Sequence, residues 1–205
     1  MSRDTSRVLL MDKHTGHPVE ALLVDGITEV HLEDVEAHWK PALFDGLRRL
    51  RAQGRPREEW PQSRHWSWSD KVEHVRSLLA YRGFAIEHEG RAQCLMLVKT
   101  TEACLLPDQK GKPLVYVDYL ETAPWNQREL VEKPRFGGLG SVMLAAAITL
   151  SLEEGFSGRI GLHSLPQSEK FYRACGMTGL GPDAFKQGLG YFEMKPDQAA
   201  AFLNT

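Results

Sequence analysis

The sequence has only three cysteines, Cys94, Cys104 and Cys175, and no CxxC pair among them. Such spacing offers neither a disulfide framework nor a thiolate zinc site, and a reducing cytoplasm is the expected setting. Charge of one sign is not in excess either: 25 Lys and Arg stand against 27 Asp and Glu, a formal −2. A polycation is excluded and no nucleic-acid partner is expected. Long apolar runs are missing as well. The N-terminal stretch MSRDTSRVLLMDKHTGH has no signal-peptide core, and Gly137 to Leu152 is too short and too rich in Gly, Ala and Ser to span a bilayer, so no membrane association is expected. The histidines show no ligand spacing with acids, and no metal is expected. There is no internal repeat and no low-complexity tract.

What remains is an ordinary globular composition, 42% hydrophobic and 25% charged over 205 residues, enough for one core with an extension. In the first part, Leu32, Val35, Trp39, Leu43, Leu47 and Leu50 recur at three- and four-residue steps. This predicts an amphipathic helix, with Pro41 marking a kink or a second start. Five arginines between Arg48 and Arg57, then Pro56, Trp60 and Pro61, predict an exposed connection near 52–64. The arginines read first as a solvated loop, and otherwise as a contact for nucleic acid or an acidic partner. Trp60, Trp66 and Trp68 read as packing or as part of an acceptor pocket.

Asp70 followed by Glu73 is suited to cap a helix running to about Arg82, stopped by Gly83. A strand over 84–88, a Glu89-Gly90 turn and a partner strand over 93–99 come next, followed by a β-rich stretch over 114–120. Leu139 to Glu154 is predicted helical with Gly155 as stop, and Arg159 to Ser164 is a further strand. The expected order is helix, β, β, β, helix, β, helix, β. Residues 1–65 are expected to form an N-terminal helical extension and residues 66–205 the main domain.

The most informative stretch is Arg135-Phe136-Gly137-Gly138-Leu139-Gly140-Ser141, between a strand and a periodic helix. Glycines allow close backbone approach, and a helix start presents N–H groups and a positive dipole to an anion, so the physics favours a phosphate. No Lys-Ser/Thr follows, which removes the ATP-type loop, and Met143 stands where a dinucleotide fingerprint needs a glycine-like residue.

The remaining pattern, Arg135-x-x-Gly138-x-Gly140, resembles the Gln/Arg-x-x-Gly-x-Gly/Ala signature of the GNAT superfamily of acyl-CoA N-acyltransferases. Leu120-Glu-Thr-Ala-Pro124 is similar to that family's Leu-x-Val-x-Pro, and Phe171-Tyr172-Arg-Ala-Cys-Gly176-Met177 to its Phe-Tyr-x-x-x-Gly-Phe. The resemblance covers about residues 70–195. It implies an α/β fold with a mixed central sheet splayed at a cofactor cleft, and transfer of an acetyl or short acyl group from acetyl-CoA to an amine acceptor, small molecule or protein. A homodimer is compatible with it.

Backbone groups of Leu120, Glu121 and Thr122 would then pair with pantetheine amides, and Arg135, Phe136, Gly137, Gly138, Leu139, Gly140 and Ser141 would hold the pyrophosphate. Tyr172 stands at the position of the family's acid, which donates to the leaving thiolate, or else packs beside Phe171. Asp118 is the first candidate for the base and His163 the second. Each also reads as a strand residue held by hydrogen bonds. The family often has Asn where this chain has Leu165 and Ala where it has Ser168, and Trp125 to Pro134 is an insertion suited to wall the acceptor site. Two rival readings are a catalytically silent acyl-CoA-binding or interaction module on the same fold, and a cysteine hydrolase using Cys175 or Cys104 with His163, for which no activating motif is present.

Overall fold

The computed structural model describes residues 4–204. The chain opens with strands rather than a helix. Thr5–Asp12 (β1) and His17–Asp25 (β2) form an antiparallel hairpin with Leu10 opposite Val19 and Asp12 opposite His17. Its turn is set by Asp12, whose Oδ1 accepts from the N–H groups of His14 (2.8 Å) and Thr15 (3.2 Å). Gly16 closes the turn at φ +78°, a conformation that favours glycine. The expected N-terminal helical extension is therefore incorrect: its helix exists but follows the hairpin. Alternation in β1 buries Leu10 and exposes Leu9 and Met11, so the period-two signal was carried by few residues.

The helix runs as Glu29–Asp34 (α1), a π-helical turn Val35–Trp39, and Lys40–Ala52 (α2). The wide turn sits just ahead of Pro41, which has no N–H to give, and Lys40 N–H reaches back to the Val35 carbonyl. The apolar face anticipated from the sequence is present, with Leu32, Val35, Trp39 and Leu50 buried. Later elements are Trp68–Val75 (α3), Tyr81–His88 (β3), Arg91–Ala103 (β4), Pro113–Thr122 (β5), Phe136–Gly137 (β6), Leu139–Glu153 (α4), Ile160–Ser164 (β7), Glu169–Ala174 (α5), Thr178–Asp183 (β8), Leu189–Met194 (β9) and Pro196–Leu203 (α6). The strands hydrogen-bond in the order β6-β1-β2-β3-β4-β5-β7-β9-β8. The fold is mixed α/β with a largely antiparallel sheet.

Two compact units share the chain. The first takes the described part of Met1–Leu78 with Gly83–Met96 and Leu120–Gly140, and the second takes Leu79–Arg82, Leu97–Tyr119 and the described part of Ser141–Thr205. Within the first, the helix is locked to the start of β4 through one residue: Trp39 Nε1 donates to the Ala92 carbonyl (3.0 Å) and the Ala92 N–H donates to Asp34 (3.0 Å). His31 is buried and accepts from the Thr28 N–H at Nδ1 (2.9 Å), so its other nitrogen carries the hydrogen and donates to Glu87 at 2.5 Å. The insertion leans on α2, where Leu130 lies so close to Gly46 that a β-carbon there would sit 2.7 Å from Leu130 Cδ2.

Within the second unit, α4 is apolar nearly all round and largely buried, with Met143, Leu144, Ala147 and Ile148 fully covered. Buried Ser151 donates to the Arg159 carbonyl (2.7 Å), tying α4 to the entrance of β7. The buried carboxylate of Glu193 on β9 accepts from the N–H groups of Leu105 and Leu106 at 2.7 to 3.0 Å, which pins the loop after β4. Such bonds satisfy donors that a buried loop would otherwise leave unpaired.

Candidate functional site

In the second unit β5 and β7 are parallel, with a register running from Val115↔Ile160 to Val117↔Leu162. Both strands continue past that point, β7 to Ser164 and β5 to Thr122. The side chains next in line bond sideways. Asp118 accepts from the Tyr81 hydroxyl (3.1 Å), and burial together with Asp118 pushes that phenol up to about 12. His163 lies 2.7 Å from the Tyr116 hydroxyl through Nδ1 and 3.0 Å from Asp183 through Nε2.

Strand alternation puts Tyr116 and Asp118 on one face of β5, and Tyr116 stands opposite Gly161. Gly161 is required by space rather than by dihedral: a β-carbon would come within 2.8 Å of the Tyr191 hydroxyl and 3.0 Å of Leu114. Tyr191, opposite His163 on β9, packs its ring 4.8 Å from the imidazole. Burial lowers the His163 pKa below its ordinary value, against the upward pull of Asp183. The Phe185 N–H and then His163 hold the Asp183 carboxyl below the usual range.

Tyr172 is buried on α5, edge-on to Phe171 at 5.2 Å and tilted against Phe192 at 6.0 Å. A short 3-10 turn, Pro166–Ser168, precedes the helix. Cys104 belongs to a buried cluster with Leu114, Tyr116 and Tyr191. Burial and then Glu193 push its thiol up to about 11, and burial also raises Cys175. Neither is an activated nucleophile, which removes the support for a cysteine hydrolase.

The glycine turn lies in the first unit up to Gly140. Arg135 N–H donates to the Trp125 carbonyl (3.1 Å), the Arg135 carbonyl accepts from Lys13 N–H (2.7 Å), and β6 pairs Phe136 and Gly137 with Asp12 and Met11. The Phe136 N–H donates to Asn126 Oδ1 (2.9 Å), so that donor is engaged within the protein. Asn126 and Trp125 both donate to the Gln93 side-chain oxygen (3.3 and 2.8 Å), fixing the start of the insertion. Gly138 is exposed at φ +92° with nothing within 4 Å of a β-carbon position. Leu139 is buried and opens α4, Gly140 stands in its first turn, and Ser141 begins the second unit's share of the helix. An open, positive-φ glycine ahead of a 15-residue helix suits an anionic oxygen.

At the end of β5, Leu120, Glu121 and Thr122 are half-buried. The Thr122 carbonyl accepts from Gln127 (2.7 Å) and the Glu121 carboxylate from Trp68 Nε1 (2.7 Å). Burial pushes the Glu121 carboxyl up, against the hydrogen bonds of Ser63 and Trp68. Trp68 is thus a packed, bonded side chain. Sequence reasoning missed Asp183 as a partner of His163, and the side-chain role of Glu121. The Gly181-Pro182-Asp183 run reads only as a turn.

Among the described residues no group of three or more His, Cys, Asp or Glu is arranged to hold a metal ion, and no helix is long and apolar enough to cross a membrane. No family model and no curated relative matches the sequence. Solved structures do. The GNAT domain of S. lividans PAT superposes with a TM-score of 0.54 at 16% identity, covering 93% of this chain and 96% of that one. A GNAT-family acetyltransferase from Listeria monocytogenes 4b F2365 gives 0.54 at 16%, covering 92% and 99%. The PaiA N-acetyltransferase from Thermoplasma acidophilum, in complex with coenzyme A, gives 0.50 at 12%, covering 95% and 99%. With the strand order, the parallel β5–β7 pair and the glycine turn before α4, these matches establish that the chain has the fold of the GNAT acetyltransferases.

Proposed function

We propose that this protein is an N-acetyltransferase that moves an acetyl or other short acyl group from acetyl-CoA to an amine on a small molecule or a protein. The observation that carries the reading is that registered pairing of β5 with β7 ends at Val117↔Leu162 while β7 runs on to Ser164 and β5 to Thr122. Strand residues beyond the last registered pair offer backbone groups to which an extended amide-bearing arm can add. Leu120, Glu121 and Thr122 extend that strand and would meet the pantetheine through their backbone. Arg135 and Gly137 to Ser141 would hold the pyrophosphate, with the contribution of Phe136 limited by its bond to Asn126.

The thioester supplies an activated carbonyl, and the chain's residues manage protons around it. An amine attacks only when neutral, so Asp118 or His163 takes its proton, and Tyr172 donates to the departing thiolate. Three unpaired cysteines fit a reducing cytoplasm. A second reading, a silent acyl-CoA-binding or interaction module, draws support from one observation: Asp118 and His163 are both already hydrogen-bonded within the protein. Calorimetric titration with coenzyme A beside CoA release over a panel of primary amines separates them. Binding with release on at least one amine supports the enzyme; binding without release on any supports the module.

A further inference from the structure

We propose that Tyr116, His163 and Asp183 form a directed proton relay, in which Tyr116 passes its phenolic proton to Nδ1 of His163 while taking the proton of the acceptor ammonium. This rests on the acyl-transfer reading. Tyr116 is the catalytic residue here, and Asp183 is a positioning residue that acts through His163.

The direction follows from donor and acceptor chemistry. An ionised carboxylate only accepts, so the Nε2 that lies 3.0 Å from Asp183 carries the imidazole hydrogen. In neutral His163 the lone pair is then on Nδ1, 2.7 Å from Tyr116, and the phenol must donate to it. Asp183 is held in place by its other oxygen, which accepts from the Phe185 N–H at 2.8 Å. The relay therefore runs from a buried phenol through a buried imidazole to a carboxylate that is 26% exposed.

The step balances. An N–H bond of the ammonium breaks as an O–H bond forms at Tyr116, the former Tyr116 O–H breaks, and an Nδ1–H bond forms. The product is a neutral amine and a His163 imidazolium facing the Asp183 carboxylate. After turnover the imidazolium loses its proton to solvent. The depressed pKa of His163 keeps the imidazole neutral and able to accept near pH 7, and favours that loss. Burial and then Asp118 raise the Tyr116 phenol, so it transfers a proton only as it gains one.

The pair is surrounded by Asp118 on β5, Lys99 and Glu102 on β4, Cys104 after it, Lys186 after β8, and Tyr191 and Glu193 on β9. Lys99 stands 5.0 Å over the Tyr116 ring and is paired with Glu102 at 2.6 Å. Of the charged groups facing His163, Asp183 is the one within hydrogen-bond distance of the ring.

The test uses the full chain with acetyl-CoA and the amine that turns over fastest in the panel. Imidazole 15N spectra, with His163 assigned from His163→Gln, are expected to show the Nε2–H tautomer in the wild type. Asp183→Asn is expected to lower the His163 pKa by about one unit or more and to carry the acid limb of kcat/KM down with it, while Asp183→Glu restores most of both. Tyr116→Phe is expected to lose about a hundredfold or more in kcat with the KM for acetyl-CoA unchanged. A merely structural role would lower thermal stability and leave the pH limb where it was. An Nδ1–H tautomer in the wild type, or CoA release that Tyr116→Phe and Asp183→Asn leave untouched in rate and pH profile, overturns the relay alone. No release by the wild type on any amine overturns the acyl-transfer reading, and the relay's role with it.

Discussion

The Tyr116 hydroxyl lies 2.7 Å from Nδ1 of His163, across the parallel strands β5 and β7. Registered pairing ends at Val117↔Leu162, so this side-chain bond sits at the end of that pairing. It joins a tyrosine the sequence offered only as a strand residue to a histidine it offered as a second-choice base. Asp118, the first choice, is instead engaged by Tyr81.

Tyr172→Phe keeps the ring that packs against Phe171 and Phe192 and deletes only the hydroxyl. Stability should stay within about 1 kcal/mol of wild type. The single-turnover rate of acetyl transfer is expected to fall about ten- to a thousandfold, with calorimetric affinity for coenzyme A near normal, because a donor to sulfur matters only as charge develops there. Wild-type rates would leave Tyr172 a packing residue.

At Gly138 the dihedral and the space make separate demands. Nothing obstructs a β-carbon, yet φ is +92°. Gly138→Ala should therefore cost about 1–2 kcal/mol in urea unfolding from backbone strain alone. Gly138→Asp adds a negative charge at the proposed phosphate position, and coenzyme A affinity should fall at least about tenfold relative to Gly138→Ala. Equal affinities in the two variants would place the phosphate elsewhere.

Gly161→Ala introduces a β-carbon 2.8 Å from the Tyr191 hydroxyl and 3.0 Å from Leu114. Overpacking of this kind typically costs about 1–3 kcal/mol. The ring of Tyr191 lies against His163, so displacing it should also move the His163 imidazole resonances. Unchanged stability and unchanged resonances would mean that Tyr191 rotates away freely.

Both His163 and Asp183 have folded pKa values depressed from their ordinary ones. For each, the unfolded chain binds protons more readily than the folded chain over the window between its two pKa values, so stability rises with pH there. Their contribution is complete above the ordinary histidine pKa of about 6.5 and is lost as pH falls, first through the His163 window and then through the Asp183 window. Thermal midpoints measured from pH 8 down to pH 4 should decline below that point. The decline should be shallower in His163→Gln, and identical slopes in the two proteins would mean that His163 titrates alike folded and unfolded.

Strands β3, β4, β5 and β7 and helix α4 were legible because their signals are local, whereas β6, the second strand of the β8–β9 hairpin and α6 were not among the expected elements. The Phe84-Ala-Ile stretch of β3, the Glu89-Gly90 turn and the apolar run of α4 each fit within a short window. The β1–β2 hairpin was missed although Asp12 and Gly16 mark its turn, because only Leu10 and a few neighbours show the buried period. The glycine turn could be read from Arg135, Gly138 and Gly140, but not the bond that the Phe136 N–H donates to the Asn126 side chain. Asp183 is 20 residues from His163, and only the pairing of β7 and β8 with β9 brings it to the imidazole. Hydrogen-bond partners supplied by strand order carry no periodic signature.

The most direct measurement follows the acetyl carbon itself, using acetyl-CoA labelled with 13C at the carbonyl and the amine panel, observed by NMR with and without the protein. The thioester carbonyl signal is expected to be replaced by an amide carbonyl signal on at least one amine, with one CoA thiol released per amide and the conversion slowed in Tyr172→Phe. A thioester signal that persists for every amine, while coenzyme A binds with normal affinity, would contradict acetyl transfer by this protein.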